Sequence, residues 1–249
     1  MVQKKHRFVL TAAGLHILAM AFMLLDHLWA TVLPGQEWMT AVGRLAFPIF
    51  AFLAVEGYFH TRNFKRYVLR MVVFALLSEI PFDLMYGGTV FYPVHQNVIW
   101  TLLLGLLGIH AMEQVRKKGK MAPYVLTCIG VVLAGFVLGT VCMTDYYGMG
   151  VWTVFAFYFF RKRTWWCLLG QIVALYWINV ELLGGQVYPI TLGGWEFELC
   201  QQGLALLSLI PIWLYRGEKG RKGKAFQYFC YGFYPAHMLI LGLIMRFVY

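Results

Sequence analysis

Long apolar runs separated by short basic clusters are the feature that most constrains this chain. About nine of these runs are long enough, or nearly so, to cross a hydrocarbon core, which needs about 20 helical residues. The predicted spans are Phe8–Leu33, Met39–Phe59, Tyr67–Met85, Asn97–Met112, Pro123–Met143, Tyr147–Phe160, Thr164–Leu183, Leu199–Tyr215 and Phe226–Phe247. Hydrophobic residues make up 61% of the chain and charged residues 13%, far from the balance of a soluble domain. We therefore expect an all-α, polytopic transmembrane helical bundle.

The basic residues predict an orientation for this bundle. If the N-terminus is cytoplasmic, 19 of the 21 Lys and Arg residues lie on the cytoplasmic side, and Arg44 and Arg246 are the exceptions. Short cytoplasmic loops of membrane proteins carry such an excess. The same count supports the short span Tyr147–Phe160, without which Arg161–Arg163 would fall on the outer side. Because topology explains the net charge of +10, we expect membrane lipids and no nucleic acid as partners.

The chain is expected to form a single domain, residues 1–249. It contains no soluble segment, low-complexity segment or recognisable repeat, and its longest outer loop, Gly184–Glu198, suits an ordered cap. The five cysteines stand singly, with no CxxC pair and no histidines at metal-ligand spacing, so no metal site is expected. Soluble-enzyme signatures such as GxSxG, HExxH and the P-loop are missing. Any chemistry must therefore come from polar groups inside the membrane.

The first span carries two histidines on one face. His16, Met20, Met23 and His27 follow helical spacing, and the 11 residues between the histidines correspond to about 16 Å along the axis. One histidine is therefore expected near the middle of the membrane and the other near the outer interface. Ionisable groups in such positions are costly and usually functional.

Acidic residues gather towards the predicted outer side. Asp26 precedes His27 but points about 100° away on the helix, so it does not orient that imidazole as a triad carboxylate would. Its expected partner is Arg44, either in a structural ion pair or as part of a site. Glu79 and Asp83 are four residues apart and share a face of the helix. Two negative charges this close repel each other unless Arg44 or a histidine supplies a compensating positive charge.

Three further polar positions have two interpretations each. His95 and Asn97 open a helix on which Asn97, Thr101 and Gly105 form a small polar stripe, suited to helix packing as well as to substrate contact. His237 lies near the middle of the last span beside Pro235, which frees a backbone carbonyl. It is either a site residue or a satisfied core histidine.

Arginines form a stripe at the predicted cytoplasmic end. Arg62, Arg66 and Arg70 are spaced four residues apart, beside His60 and Thr61. Guanidinium groups in this arrangement suit the phosphates of a nucleotide-like cofactor. The cytoplasmic bias of basic residues explains the same arginines without a ligand.

Segments spread over the chain together resemble the TraX family. They are MLLDH at Met23–His27, GRLAFPIFAF at Gly43–Phe52, VEGYFHTR at Val55–Arg62, YVLR at Tyr67–Arg70, SEIPFD at Ser78–Asp83, the segment Asn97–Gly105, DYYGMG at Asp145–Gly150 and FYPAH at Phe233–His237. They run in the family's order from near the N-terminus to the last span.

The chain is also distantly similar to the family 3 membrane acyltransferases. The first helix of that family carries a basic residue, ten further residues and then a histidine. Here Ile17–Asp26 precede His27, but His16 stands at the basic position. This is a departure, because a histidine is neutral for much of the range near pH 7.

The resemblance implies a membrane acetyltransferase in the bacterial cytoplasmic (inner) membrane. It would move an acetyl group from cytoplasmic acetyl-CoA to an amine or hydroxyl on the outer side. Three kinds of acceptor remain open: the N-terminus of a pilin-like or secreted peptide, a glycan and a lipid. The implied catalytic residues are His27, Asp26, Arg44, Glu79 and Asp83. Those implied for substrate or oxyanion contacts are His95, Asn97, Asp145, Tyr146 and His237, and those for the donor are His16, Arg62, Arg66 and Arg70. His27 would act as a general base or carry the acetyl group itself.

Two other functions fit the same residues. In a proton-coupled transporter the carboxylates and histidines would form a proton relay, although the odd number of spans and the lack of a repeat argue against this. A non-catalytic assembly factor would tolerate neutral substitutions at Asp26, His27 and Arg44.

Overall fold

A computed structural model of the chain describes residues 10–218, 220 and 223–248. The helices are α1 (Ala12–Thr31), α2 (Glu37–Gly43), α3 (Ala46–His60), α4 (Phe64–Gly87), α5 (Val98–Arg116), α6 (Met121–Val141), α7 (Tyr147–Phe159), α8 (Trp165–Tyr176), α9 (Leu209–Leu214) and α10 (Lys224–Val248). A π-helical segment, Trp177–Leu183, continues α8, and a 3-10 segment, Gln201–Ser208, leads into α9. The predicted helical class is therefore confirmed.

Among the described residues, six helical stretches are long and apolar enough to cross a membrane, which is the property of a multi-pass membrane protein. They are Ala12–Thr31, Glu37–His60, Val98–Arg116, Met121–Val141, Trp165–Leu183 and Tyr228–Phe247. Glu37–His60 combines α2 and α3, and Trp165–Leu183 combines α8 with the π-helical segment. The other three predicted spans coincide with α4, α7 and the shorter apolar stretch Gln201–Leu214. The count of nine and the cytoplasmic N-terminus stay predictions. Lys4, Lys5, Arg7, Lys219, Arg221 and Lys222, which contribute to that orientation, lie outside the described residues.

Polar side chains define where several helices begin. The Thr11 hydroxyl accepts from the Gly14 amide at 3.2 Å, and the Asn63 side chain accepts from the Arg66 amide at 3.0 Å. Asn97 caps α5 in the same way by accepting from the Ile99 amide at 3.1 Å. Such caps satisfy amides that have no partner within the helix.

The second predicted span is broken, because α2 ends at Gly43 and α3 begins at Ala46. Pro48 has no N–H, so the carbonyl of Arg44, four residues earlier, cannot receive an α-helical bond from it. The break places Arg44 between the two helices, where its side chain leaves the helix surface towards α1.

The interior of the bundle is built around α3, which contacts α1, α5 and α7. Residues from Ala46 to Val55 are almost all buried on α3, whereas α6 and α8 are mainly exposed on their outer faces. Close packing explains part of the polar stripe on α5, since a Cβ at Gly105 would lie 2.7 Å from the Val154 side chain of α7.

The predicted cap contains an antiparallel hairpin that the sequence analysis did not predict. Strands β1 (Val187–Leu192) and β2 (Trp195–Cys200) are joined by Gly193 and Gly194, both at positive φ, as a tight two-residue turn requires. The Tyr188 hydroxyl donates to Glu37 at 3.3 Å and fastens the hairpin to α2. Burial and the nearby Glu37 carboxylate raise the pKa of Tyr188, so the phenol remains a donor.

Candidate functional site

Three neighbouring cavities run through the bundle from Arg70 to His27. The Arg70 cavity has a volume of about 290 Å³, the middle cavity about 220 Å³ and the His27 cavity about 120 Å³. The first two share the lining residues His16, Leu53, Tyr67, Arg70 and Tyr231. The second and third share Met23, Phe50, Val98 and Tyr234.

The predicted stripe on α1 follows this series of cavities. His16 lines the Arg70 and middle cavities, Met20 lines the middle one, Met23 lines the middle and His27 cavities, and His27 lines the last. The spacing read from the sequence therefore places all four side chains along one internal path.

His27 is paired with a second histidine from α10. Its Nδ1 lies 2.8 Å from Nε2 of His237, and the two rings are almost parallel. His237 Nδ1 lies 2.7 Å from the carbonyl oxygen of Phe233, to which it donates. With both rings neutral, these bonds assign the proton of His27 to Nδ1 and leave its Nε2 unprotonated. His237 thus orients His27 and holds its tautomer, as the carboxylate of a triad does for its histidine.

Asp26 and Arg44 form the ion pair that the sequence predicts. Both side chains line the His27 cavity and are less than one-fifth exposed. Arg44 also donates to the Thr40 hydroxyl at 2.9 Å and to Gln202 at 3.3 Å, so its guanidinium is held from several sides. A Cβ at Gly43 would overlap the Asp26 side chain, so this close approach of α2 to α1 requires glycine.

A strained turn before α7 supplies another wall of the His27 cavity. Met143, Tyr146 and Tyr147 all adopt positive φ, which is rare for residues other than glycine and tends to occur at functional sites. Asp145 and Tyr146 line the cavity. His95 lies outside this lining, but its Nε2 is 3.4 Å from an Asp145 oxygen. The structure therefore connects His95 to the cavity indirectly, through Asp145 and through ring contacts with Phe82 and Tyr86, which line it.

Glu79, Asp83 and Asn97 stand beside the cavities and line none of the three. Asn97 donates to Glu79 and to the carbonyl of Ala75, so its amide is already committed. Glu79 also accepts from Trp100, and Asp83 accepts from the amide of Tyr92. These contacts stabilise the junction of α4 and α5 and do not reach His27.

The arginine stripe also contains one residue that lines the cavities and two that do not. Arg70 lines the Arg70 and middle cavities, whereas Arg62 and Arg66 are exposed and line none of the three. His16 stands beside Arg70, and its Nδ1 donates to the carbonyl of Ala12 at 2.7 Å.

Two tyrosines in the His27 cavity were missed among the candidate site residues. Tyr86 faces the His27 ring edge-on with 6.3 Å between centroids, and Tyr234 lines the cavity from α10. Tyr234 belongs to the FYPAH segment, and Tyr86 follows Asp83 by three residues and so shares its helix face. Both tyrosines could therefore have been identified from the sequence.

Comparison with known proteins covers nearly the whole chain. The TraX family, described as TraX protein, matches residues 11–245. The chain is also 27% identical over 245 residues to the "Probable fimbrial assembly protein FimC, serogroup H1" of Dichelobacter nodosus, across 93% of this chain and 94% of that protein. No solved structure matches it. The match over residues 11–245 includes all the segments that carry the resemblance, and the chain belongs to the TraX family.

Proposed function

We propose that this chain is a membrane acetyltransferase that brings acetyl-CoA and an acceptor together at His27 from opposite ends. The observation that carries the proposal is the series of cavities from Arg70 to His27, which ends at an imidazole with an unprotonated nitrogen. A path of this kind suits a long donor whose charged part stays at one end while its reactive end reaches the other.

The donor would occupy the path with its phosphates near Arg70 and its thioester near His27. Arg70 is exposed and lines the first two cavities, Arg66 lies one turn before it on α4, and Arg62 shortly precedes that helix. Guanidinium groups bind phosphates through charge-assisted bonds. The middle cavity is lined mainly by apolar side chains, which suit the uncharged arm of the donor.

His27 would act as the general base. Its Nε2 takes a proton from the acceptor as the acceptor's nitrogen or oxygen attacks the thioester carbonyl. When the tetrahedral intermediate collapses, the carbon–sulfur bond breaks and the proton passes from His27 to the departing thiolate. The products are the acetylated acceptor and free coenzyme A, and His237 accepts the Nδ1 proton of His27 both in the neutral imidazole and in the imidazolium that forms between the two transfers.

The negative charge that develops on the thioester oxygen needs hydrogen-bond donors in the same cavity. Arg44 and the phenols of Tyr86 and Tyr146 line that space. Preorganised donors of this kind are often the largest catalytic contribution in acyl transfer. Asn97 lies outside the cavity and His237 is engaged by His27 and Phe233, so the proposal gives the oxyanion role to Tyr146 among the residues predicted for it. It adds the one N–H of Arg44 that is left over from the bonds to Asp26, Thr40 and Gln202.

The acceptor would come from the side of the hairpin, which is the outer side in the predicted topology of a bacterial cytoplasmic membrane. Asp145 lines the His27 cavity and suits an acceptor amine that arrives as an ammonium ion and releases one proton to water before it attacks. The similar protein from Dichelobacter nodosus is named a probable fimbrial assembly protein, and this supports a pilin-like or secreted polypeptide as the acceptor.

The test uses membranes containing the chain, incubated with acetyl-CoA labelled in the acetyl group. We expect a labelled polypeptide in these membranes, identified by mass spectrometry, and no label with a His27→Ala protein that is expressed and folded at the wild-type level. A folded His27→Ala protein that labels the same product at the wild-type rate would remove His27 from the mechanism.

A further inference from the structure

Four side chains form a collar between the middle cavity and the His27 cavity. Met23 from α1, Phe50 from α3, Val98 from α5 and Tyr234 from α10 line both spaces. Because the four residues come from four different helices, they surround the passage from one cavity to the next. A group that travels from Arg70 to His27 must pass this collar.

The two sides of the collar differ in size and polarity. The His27 cavity, at about 120 Å³, has roughly half the volume of the middle cavity, and Asp26, Arg44 and Asp145 lie in its wall. An apolar cavity of about 150 Å³ holds a molecule the size of benzene. The His27 cavity therefore has room for a small acyl group together with the reacting atom of the acceptor.

A longer acyl chain meets two obstacles at this point. It exceeds the volume available beyond the collar, and it would displace water from the charged groups of the His27 cavity without replacing their hydrogen bonds. An acetyl group avoids both obstacles, since its single methyl group adds little volume beyond the thioester carbonyl.

We infer that the collar of Met23, Phe50, Val98 and Tyr234 selects short acyl donors. The inference rests on the proposed function and deepens it by naming residues that determine donor specificity. Met23 and Phe50 have larger side chains than Val98 and, unlike Tyr234, carry no hydroxyl, so their truncation changes the size of the collar without removing a hydrogen-bonding group. Truncating Met23 or Phe50 enlarges the passage, since core side chains relax only partly into such a gap.

The experiment measures binding of two donors to the purified full-length protein in detergent, by equilibrium dialysis with labelled acetyl-CoA and labelled hexanoyl-CoA. We expect the wild type to bind acetyl-CoA at least about tenfold more tightly than hexanoyl-CoA. In Met23→Ala and Phe50→Ala this preference should shrink about tenfold, because the longer chain then passes the collar. Met112→Ala removes another buried methionine, one that lines none of the three cavities, and its preference should match the wild type.

The outcomes separate the collar from the proposed function. Wild-type protein that binds neither donor would overturn the proposed function, and the collar with it. Wild-type protein that binds acetyl-CoA, with the same preference in the collar variants, would overturn the collar alone. If an alanine variant does not fold, Met23→Val and Phe50→Leu make smaller openings and should shift the preference in the same direction.

Discussion

At the scale of single residues, the site depends on how one imidazole is held. The sequence analysis predicted His27 as the base or the acyl carrier and Asp26 as a neighbour that could not orient it, and the structure places a hydrogen-bond partner from α10 beside it. This partner was beyond sequence reasoning, because His27 and His237 are 210 residues apart and only the packing of α10 on α1 and α4 brings them together. The Asp26–Arg44 pair was predictable, since Arg44 is the first cation after the first span.

Replacing His237 tests this arrangement. In His237→Phe the Nδ1 of His27 loses its acceptor and the tautomer is no longer held, so the acetyl transfer rate should fall about 100-fold or more. His237→Gln offers an amide oxygen to the same proton and should recover part of the rate. Acetyl-CoA binding should be unchanged in both, because His237 lines none of the three cavities. Equal losses of rate in the two variants, with unchanged thermal stability, would contradict the orienting role.

The Asp26–Arg44 pair makes a separate prediction about stability. Arg44→Leu leaves the Asp26 carboxylate without its cation in a mostly buried position, so unfolding should become easier by about 3 kcal/mol. The double variant Asp26→Leu with Arg44→Leu removes both charges and should be more stable than Arg44→Leu alone. Thermal unfolding in detergent measures this difference, and a double variant less stable than either single variant would argue against the pair.

At the scale of helices and strands, hydrophobic runs predicted where most elements lie but not how they break. The second predicted span divides into α2 and α3 at Arg44, where Pro48 disrupts the hydrogen bonds, and Pro48 was visible in the sequence. The hairpin was harder to anticipate. Its residues alternate only partly between apolar and polar, and the contact of Tyr188 with Glu37 joins residues far apart in the chain.

The contact between α1 and α2 gives a prediction at this scale. A methyl group at Gly43 overlaps Asp26, so Gly43→Ala should force the helices apart and destabilise the protein by about 1–3 kcal/mol. Gly130→Ala is the matched control, because its Cβ meets nothing within 4 Å in the middle of α6. There the substitution should leave stability equal or slightly higher. The melting temperatures of the two variants measure this difference in stability. Equal values would show that the close approach of the two helices is not needed for stability.

At the scale of the whole molecule, the apolar composition and the long apolar runs predicted a helical membrane protein, but they could not predict the cavities. A cavity depends on which side chains from several helices face one another, and a single sequence does not determine that packing. Only the stripe on α1 predicted part of the path, because residues at helical spacing share a face whatever the neighbours are. The arrangement of loops on two sides likewise rests on basic residues and is open to direct test.

The predicted topology can be measured with single cysteines introduced into a protein without its five native ones. A cysteine at Lys117, between α5 and α6, should react with a membrane-impermeant maleimide only from the cytoplasmic side. A cysteine at Gly193, in the turn of the hairpin, should react only from the opposite side. Labelling of both positions from one side would contradict the predicted orientation.

The central claim is that donor and acceptor meet at His27 from opposite ends of the bundle. Sealed membrane vesicles of known orientation test it most directly, because acetyl-CoA carries charged phosphates and does not cross the bilayer. Labelled acetyl-CoA added outside should label a product enclosed in the lumen of inverted vesicles, whose cytoplasmic face is outward, and the His27→Ala protein should abolish this label. Right-side-out vesicles should show label only after permeabilisation. Label in intact right-side-out vesicles, or on the same side as the donor, would contradict the account.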